Sequence, residues 1–204
     1  MQLVAYGAQD VYLTGNPQIT FFKVVYRRHT NFSMESIEQT WNGSATTNGK
    51  CTATISRNGD LIHNMYLVIG NIGDAVQVCN NIGSTSITSV ELEIGGQKID
   101  KHSGNWLEAW AELTQENQGG FTAIQNDTGG NNGSMFQRMS GMGGVKGAAS
   151  GNNNLYYVPL QFWFCRNVGL SLPLIALQYH EVKIILENRI ESVFPDASRF
   201  NELW

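Results

Sequence analysis

The sequence predicts an all-β protein in which two antiparallel sheets pack face to face. Apolar and polar residues alternate with a period of two in several short segments, which is the pattern of half-buried strands. Glycine is frequent, with 22 residues, and proline is rare, with 4, so tight turns can separate these segments. The 204 residues are enough for one sandwich domain with a substantial core. We predict about seven strands, as in many sandwiches.

The first predicted strands lie in the N-terminal third of the sequence. One is expected over Ser33–Trp41, and the next, "CTATIS", alternates from Cys51 onward. Asn58-Gly59 then predicts a tight hairpin turn, because both residues tolerate positive φ. The turn is expected to lead into a strand over Leu61–Ile69.

The segment "SVELEIGGQKID" predicts a hairpin in the middle of the sequence. Val90, Leu92 and Ile94 alternate with glutamates, so these apolar side chains are expected to face the core. The Gly95-Gly96 pair can adopt the positive φ angles of a two-residue turn. It is therefore expected to reverse the direction of the backbone.

One helix and one long loop are predicted next. "SGNWLEAWAELTQ" places Trp106, Trp110 and Leu113 at helical spacing, with Leu107 beside them. Residues 117–154 are rich in Gly, Asn and Ser and lack the periodicity of a core segment. They are predicted to form a long surface loop that does not pack in the core.

Three strands are predicted after this loop. "LYYVPLQFWF" is expected to be covered on both faces, with Tyr157 and Trp163 on the face opposite the main apolar row. Pro173 suits the edge or the end of a short strand in "LSLPLIAL". The last predicted strand contains Val182–Leu186. The main apolar row of the first strand consists of Tyr156, Val158, Leu160, Phe162 and Phe164.

Composition argues against several functional classes. The net charge is -4, so no basic field attracts nucleic acid. Cys51, Cys79 and Cys165 are widely spaced and form no CxxC pair, which argues against a zinc knuckle or a disulfide framework and fits a reducing compartment. The N-terminus lacks a signal-peptide pattern, and no apolar segment reaches the roughly 20 residues of a membrane helix. The protein is expected to be soluble and made in the cytosol.

The motifs predict neither an enzyme nor a cofactor or metal site. The loop "SGMGGVKGAAS" is not a P-loop, because Lys146 is followed by Gly147 instead of Ser or Thr. The histidines form no HxH or HxxxH pair, and no GxSxG motif marks a nucleophilic serine. A Ser-His-Asp triad assembled from distant residues stays open, since such triads are spatial.

Two N-x-S/T sequons lie in the predicted loop. Asn126 and Asn132 would leave room for a glycan there. A sequence rich in Asn, Ser and Thr also contains such triplets by chance, so both interpretations stay open.

The stretch "NPQITFFKVVYRRHTNF" mixes basic and aromatic residues in a way that composition alone does not explain. Together with "ISRNGDLI", "VELEIGGQKIDKH" and "YVPLQFWFCRNVGLSLPLIALQYHEVKI", it resembles the major capsid proteins of large nucleocytoplasmic DNA viruses. The resemblance is strongest to those of algal viruses and their giant relatives. The blocks occur in the family's order over most of the sequence.

This resemblance implies a double jelly-roll protein. Three copies would form a homotrimeric capsomer with a pseudo-sixfold outline, and capsomers would tile an icosahedral shell. The protein would be a structural component of the virion, assembled in the host cytoplasm. Its partners would be other copies, neighbouring capsomers, minor capsid proteins and the internal viral membrane. That membrane separates shell from genome, so no direct contact with nucleic acid is expected.

The resemblance also implies roles for two segments. Residues 1–31 would be an N-terminal arm at the base of the capsomer, and the loop over 117–154 would form its outward tower. Arg27 and Arg28 would contact neighbouring subunits, acidic minor proteins or lipid headgroups. The predicted contact residues of the arm are Phe21, Phe22, Lys23, Tyr26, Arg27 and Arg28.

The sequence departs from the family pattern at its C-terminal end. Residues 32–204 are expected to form the N-terminal jelly-roll, with the second jelly-roll absent from this chain. The strand Val182–Leu186 is assigned as the penultimate strand, and the last strand would begin near Trp204 and be missing. That strand normally lies between the first and the third, so its absence would leave backbone groups unpaired in mid-sheet.

Several alternatives stay open at this point. The polypeptide would be a truncated gene product, a fragment or part of a longer protein. A divergent or truncated capsid paralogue, acting as a minor capsid component, is the alternative function. A jelly-roll carbohydrate-binding module is a further alternative, and it would require exposed aromatic side chains in a groove. The candidate aromatic residues, which we expect in the core or in interfaces, are Trp41, Trp106, Trp110 and Trp163.

Overall fold

In the computed structural model, the protein divides into two compact units, Met1–Glu35 and Ser36–Trp204. Residues 31–35 of the first unit are described; they are exposed and lack regular secondary structure. The fold is therefore that of the second unit. The structure describes residues 31–43, 45, 48–70, 81–115, 134–145, 155–189 and the backbone of 199–203.

Ten strands lie in the described part of the protein, and each pairing is antiparallel. They are β1 (Trp41–Asn42), β2 (Gly49–Thr54), β3 (Leu61–Ile62), β4 (Tyr66–Gly70), β5 (Ile87–Ile94), β6 (Gln97–Ser103), β7 (Tyr156–Pro159), β8 (Leu172–Pro173), β9 (Val182–Asn188) and β10 (Arg199–Leu203). The α-helices are α1 (Ile82–Thr85), α2 (Gly104–Thr114), α3 (Met135–Ser140) and α4 (Trp163–Arg166). Two 3-10 turns cover Val168–Leu170 and Ile175–Leu177.

The strands form two larger sheets and one short pair. The five-stranded sheet has the order β1-β2-β9-β5-β6, the three-stranded sheet has the order β10-β4-β7, and β3 pairs with β8. Most neighbours are distant in sequence, so long-range contacts hold the sandwich together. The prediction of an all-β fold with antiparallel sheets is confirmed.

Strand β9 occupies the position that the sequence analysis left empty. Leu186 lies opposite Cys51 of β2 on one side and opposite Val90 of β5 on the other. The expectation of a mid-sheet gap is therefore wrong, because β9 itself fills the place expected for the missing last strand. The residues before Trp204 instead form β10, which pairs with β4 in the other sheet. Alternation identifies a strand but not its partners, which explains the error.

The two larger sheets enclose one continuous hydrophobic core. Each contributes apolar side chains that are almost fully buried. Burial of one such large side chain contributes roughly 1.5–3 kcal/mol relative to exposure. The central members are Leu67 and Ile69 from β4, Val90 and Leu92 from β5, Val158 from β7, and Ile184 and Leu186 from β9.

The hairpin predicted at Asn58-Gly59 does not form. β2 pairs with β1 and β9, whereas β3 pairs with β8 and places Leu61 opposite Pro173. Among the described non-glycine residues, Asn81 alone has positive φ, so Asn58 does not adopt the mirror-image turn. Turn propensity was outweighed here by pairing with a distant strand.

Two other predicted strands are shorter than expected. The segment predicted as one strand over Leu61–Ile69 is divided between β3 and β4, and that over Ser33–Trp41 is reduced to β1 at its end. In "LYYVPLQFWF" the alternating burial is confirmed, but β7 ends at Pro159 and α4 follows. Tyr157 is exposed, so coverage of both faces is wrong at that position.

The central hairpin and helix α2 form where they were predicted. Gly95 and Gly96 have φ of 60° and 82° and join β5 to β6. Helix α2 begins at a cap in which the Ser103 hydroxyl accepts a hydrogen bond from the Trp106 amide at 3.2 Å. Its buried residues include Leu107 and Ala111, whereas Leu113 is 85% exposed. The buried face of the helix is therefore rotated away from the row that was predicted to include Leu113.

Part of the predicted surface loop packs in the interior. Helix α3 begins with a capping box in which Ser134 and Gln137 exchange hydrogen bonds. Met142 and Val145, which follow the helix, are buried. The expectation that residues 117–154 lack core contacts is therefore wrong for residues 134–145. The prediction was based on the Gly, Asn and Ser content of the whole run and overlooked the apolar residues within this part of it.

Candidate assembly surface

The sites predicted from sequence lie outside the described residues. This holds for the sequons at Asn126 and Asn132 and for residues 1–30 of the N-terminal arm, so both stay predictions. The arm residues concerned are Phe21, Phe22, Lys23, Tyr26, Arg27 and Arg28. The described residues present a different candidate surface.

Five large apolar side chains are exposed on or beside the short β3–β8 pair. Ile175 is 72% exposed and Tyr179 is 87% exposed, although both belong to an ordered segment between β8 and β9. A concentration of exposed apolar side chains is typical of protein contact sites. We call this surface the apolar corner; its residues are Leu61, Val168, Leu170, Ile175 and Tyr179.

Arg57, which follows β2, holds the backbone of the apolar corner in place through hydrogen bonds. Its guanidinium donates hydrogen bonds to the carbonyl oxygens of Leu177 at 2.9 Å, of His180 at 3.1 Å, and of Gln178. A guanidinium presents several donors in a fixed planar arrangement. One side chain therefore holds three carbonyls of the same turn and orients the segment that carries Ile175 and Tyr179.

Further contacts fix the rest of the corner. The Leu174 amide donates to the Asp60 carbonyl at 2.9 Å, and the side chains of Leu172 and Leu174 are buried in the core. The Asn167 side chain accepts from the Gly169 amide at 2.9 Å, and the Ser171 hydroxyl donates to the Val168 carbonyl at 2.6 Å. These hydrogen bonds and buried side chains thus fix the backbone that carries the exposed apolar side chains, and we call this backbone the rigid base of the corner.

Sequence reasoning missed the apolar corner. "LSLPLIAL" has apolar residues at adjacent positions, which a one-sided strand does not need. That pattern is the signal that could have indicated a second contact face, but coverage within the same domain explains it equally well.

A ladder of stacked rings joins the end of β6 to α2 and α4. His102 stacks on Trp106 at 4.2 Å and on Phe162 at 4.9 Å between ring centroids. The Arg166 guanidinium lies 4.3 Å from the ring centroid of Trp110 and 5.5 Å from that of Trp106, within the range of a cation–π contact. The ladder fixes how helix α2 packs on the sheet.

His102 is the titratable member of this ladder. Its Nε2 lies 3.2 Å from the Asp100 carboxylate, and its side chain is buried. Burial lowers the pKa of His102 below its ordinary value, and the Arg166 charge acts in the same direction, while Asp100 opposes both. Burial therefore favours the neutral form of the ring over the protonated form.

The glycine-rich loop considered for phosphate binding holds a carboxylate of the protein itself. One oxygen of Glu108 accepts from the amides of Gly143 at 2.9 Å and Gly144 at 3.0 Å, and the other accepts from the Ser84 hydroxyl at 2.8 Å. Successive amides that converge in this way form an anion-binding nest. The nest is already occupied, which agrees with rejection of the P-loop interpretation.

The outer face of the five-stranded sheet carries a paired charge cluster. The Glu91 carboxylate contacts Lys98 at 2.7 Å and Lys101 at 2.8 Å, both on the adjacent strand β6. Hydrogen bonds from Lys101 and then Lys98 lower the pKa of Glu91 to about 2. These lysines also lie on the open edge of the described sheet, where charge discourages unwanted strand addition.

The described residues contain no cluster that points to catalysis by a metal or a reactive thiol. No group of three or more His, Cys, Asp or Glu side chains among them could hold a metal ion. Burial raises the pKa of Cys51 to about 11 and that of Cys165 to about 12, so both thiols stay protonated near neutral pH. Within the same residues, no helix is long and apolar enough to span a membrane.

The four tryptophans in the described part of the protein do not form an open sugar-binding platform. Trp41, Trp106 and Trp163 pack against the hydrophobic core, and Trp110 lies under Arg166. Stacking on a sugar would require a free aromatic face. This arrangement argues against the carbohydrate-binding alternative.

Comparison with known proteins agrees with the topology. Residues 20–194 match the family model described as "Major capsid protein N-terminus". The major capsid protein of Pyramimonas orientalis virus is 55% identical over 92% of this chain and 46% of its own length. That of Paramecium bursaria Chlorella virus 1 is 47% identical over 90% of this chain and 39% of its own length. The chain thus spans less than half the length of these curated relatives.

A solved structure shows the same fold. The crystal structure of PBCV-1 VP54, fitted into a reconstruction of the virophage Sputnik, is 34% identical, with a TM-score of 0.64 over 91% of this chain and 43% of that chain. The antiparallel sandwich, with β9 between β2 and β5, is thus of the jelly-roll class found in viral capsid proteins. The chain belongs to the major capsid protein family, and its residues 20–194 correspond to that family's N-terminal region.

Proposed function

We propose that this polypeptide is the N-terminal part of a structural, non-catalytic virion protein, a major capsid protein that trimerises into pseudo-hexameric capsomers of an icosahedral shell. Family membership supports the class of function, because the relatives are named capsid proteins. The observation that carries self-assembly is the apolar corner on its rigid base. Loss of conformational entropy in a surface opposes binding. An exposed apolar surface that is already held in place loses little such entropy, which favours association.

The apolar corner is proposed to contact a second copy of the protein. Its side chains are large, exposed and held by Arg57, which suits a repeated contact between identical subunits. The first measurement is the native mass of the protein recovered from its source, by light scattering, together with its intact protomer mass. A native mass three times the protomer mass supports the proposal, whereas a monomer contradicts it.

Substitutions distinguish the corner from other exposed apolar sites. Ile175→Asp and Tyr179→Asp are expected to weaken association by about tenfold or more, which corresponds to about 1.4 kcal/mol. Leu113→Asp, an exposed site on α2 outside the corner, is the matched control and should leave association unchanged. If the corner variants stay trimeric but unfold more easily, the corner packs within one protomer, and the proposed contact is wrong.

The N-terminal arm is proposed to add contacts at the base of the capsomer. Arg27 and Arg28 would pair with acidic minor capsid proteins or with lipid headgroups of an internal membrane. Charge reversal of both residues should abolish binding to whichever partner is correct. Flotation with anionic vesicles tests the membrane, and co-purification with minor virion proteins tests the protein partner.

The proposed location is the virion. It would be assembled in the host cytoplasm, and the protein would make no direct contact with nucleic acid.

A further inference from the structure

The described residues contain the same Asn-Gly dipeptide in three different structural settings. Asn42 of Asn42-Gly43 lies in β1 opposite Thr52, and Gly49 of Asn48-Gly49 lies in β2 opposite Asn188. Asn58-Gly59 lies in an exposed bend between β2 and β3, and neither residue belongs to a strand. Asn58-Gly59 is therefore the one pair of the three in which neither residue lies in a paired strand.

An asparagine before a glycine can lose its side-chain amide without an enzyme. The glycine nitrogen attacks Cγ of the asparagine, forms an N–Cγ bond and gives up its proton, while the bond between Cγ and Nδ2 breaks and ammonia leaves. Water then opens the resulting cyclic imide at either carbonyl and leaves aspartate or isoaspartate. No oxidation or reduction occurs. Glycine favours the attack because no Cβ hinders its nitrogen.

Asn58-Gly59 meets the structural requirements of this reaction. Both residues are exposed to water, and in the described part of the protein neither the Asn58 side chain nor the Gly59 amide has a hydrogen-bond partner. The space beside Gly59 is open, since the nearest atom to a Cβ placed there would be the Leu61 carbonyl oxygen at 4.0 Å. Nucleophile, electrophile and water can therefore approach one another.

The two strand-associated pairs are restrained. A Cβ placed on Gly43 would lie 3.5 Å from the Lys50 carbonyl oxygen, so this glycine is in van der Waals contact with the neighbouring strand. Asn48 makes a contact of its own, and Gly49 is held in the β2–β9 ladder. In these two pairs, the glycine nitrogen can attack the asparagine side chain only after the paired strands separate locally. Only a small fraction of the folded molecules is open in this way at any time, so the reaction is slower.

We propose that Asn58 is a site of spontaneous deamidation in the folded protein, and that it reacts ahead of Asn42 and Asn48. The bend is attached at both ends to the segment below the apolar corner, by Arg57 and by the Asp60 carbonyl, which accepts from Leu174. Isoaspartate adds one atom to the backbone between these attachments and places a new carboxylate beside Arg57. Deamidation therefore alters the geometry of this brace.

Peptide mapping by mass spectrometry tests the proposal on the full-length protein. The folded protein is incubated at mildly alkaline pH, and conversion is followed at each of the three asparagines, with isoaspartate detected by enzymatic methylation. Asn58 is expected to convert about tenfold or more faster than Asn42 and Asn48, because only the latter two require local opening. In denaturant the three rates should become similar, which separates protection by the fold from sequence preference.

A glycine substitution supplies the matched control. Gly59 has no positive φ and has open space at its Cβ position, so Gly59→Ala should fold normally while slowing conversion at Asn58. Equal rates at all three asparagines in the folded protein would overturn the proposal. So would a rate at Asn58 that rises in denaturant as much as the rates at the strand positions.

Discussion

The carboxylate of Glu108 lies 2.9 Å from the backbone nitrogen of Gly143, and this contact joins helix α2 to the segment after α3. Gly143 and Gly144 both have φ near 80°, which aims their successive amides at the same oxygen. The Ser84 hydroxyl binds the other oxygen. One carboxylate thus connects three segments that are far apart in sequence.

Removal of this carboxylate should destabilise the fold. Glu108→Ala leaves the amides of Gly143 and Gly144 and the Ser84 hydroxyl without their acceptor, and hydrogen bonds to charged groups contribute about 1.5–3 kcal/mol each. Because water can replace part of the loss, we expect the free energy of unfolding to fall by about 2–4 kcal/mol. Urea denaturation measures it.

Glu112→Ala is the control for that substitution. Glu112 is exposed on the same helix, and its removal should change the free energy of unfolding by less than about 0.5 kcal/mol. Equal effects of the two substitutions would show that the Glu108 contacts contribute nothing specific.

Gly104 is expected to be intolerant of any side chain. A Cβ there would lie 2.2 Å from the carbonyl oxygen of Ser84 and 2.3 Å from that of Ile87, and both are backbone atoms that cannot move aside easily. Although alanine favours helices, Gly104→Ala should destabilise the protein by about 3 kcal/mol. Thermal unfolding compares it with Gly59→Ala, whose open site should accept the methyl group. A stable Gly104→Ala protein would contradict the close approach of α1 to α2.

Alternation predicted which side chains are buried better than it predicted which strands pair. Val90 and Leu92 were expected to face the core, and both are buried. The position of β9 between β2 and β5 was missed, because the same inward row would fit either sheet. The burial of a residue depends on its own segment, whereas register depends on residues more than a hundred positions away.

The candidate surface was less predictable than the fold. The bracing of the apolar corner depends on Arg57, whose acceptors are carbonyls in the segment of Leu177 to His180. Backbone acceptors have no sequence signature, so no motif indicates this contact. The Glu108 nest was missed for the same reason, since its donors are amides of a glycine-rich loop that looked free to move.

The Glu91 cluster should make the fold sensitive to strong acid. Its pKa of about 2 lies below the ordinary value of 4.5, so the unfolded state takes up the proton first. The cluster's contribution to stability is complete above about pH 4.5 and is lost as the pH falls towards about 2. Glu91→Gln should remove this part of the acid dependence in urea denaturation. Because both lysines are solvent-exposed, added salt should weaken their stabilising contacts with Glu91. If Glu91→Gln leaves the dependence of the free energy of unfolding on acid pH unchanged, the prediction is wrong.

His102 should produce a separate loss of stability at milder pH. Burial holds its folded pKa below 6.5, so a proton added to the unfolded state favours unfolding. The contribution is therefore fully present above pH 6.5 and declines as the pH falls below that value. His102→Phe keeps a ring between Trp106 and Phe162 but cannot be protonated. It should flatten the dependence of the free energy of unfolding on pH between about 7.5 and 5.

The groups around His102 determine how large this effect is. Asp100 on β6 favours protonation, and Arg166 on α4 opposes it, while Glu91 and Glu93 alternate with the inward residues of β5 and so lie on the other face of the sheet. Asp100→Asn should therefore steepen the loss of stability below pH 6.5, because it removes the group that favours the protonated ring. If His102→Phe and the wild type show the same pH slope, another group accounts for the acid sensitivity in this range.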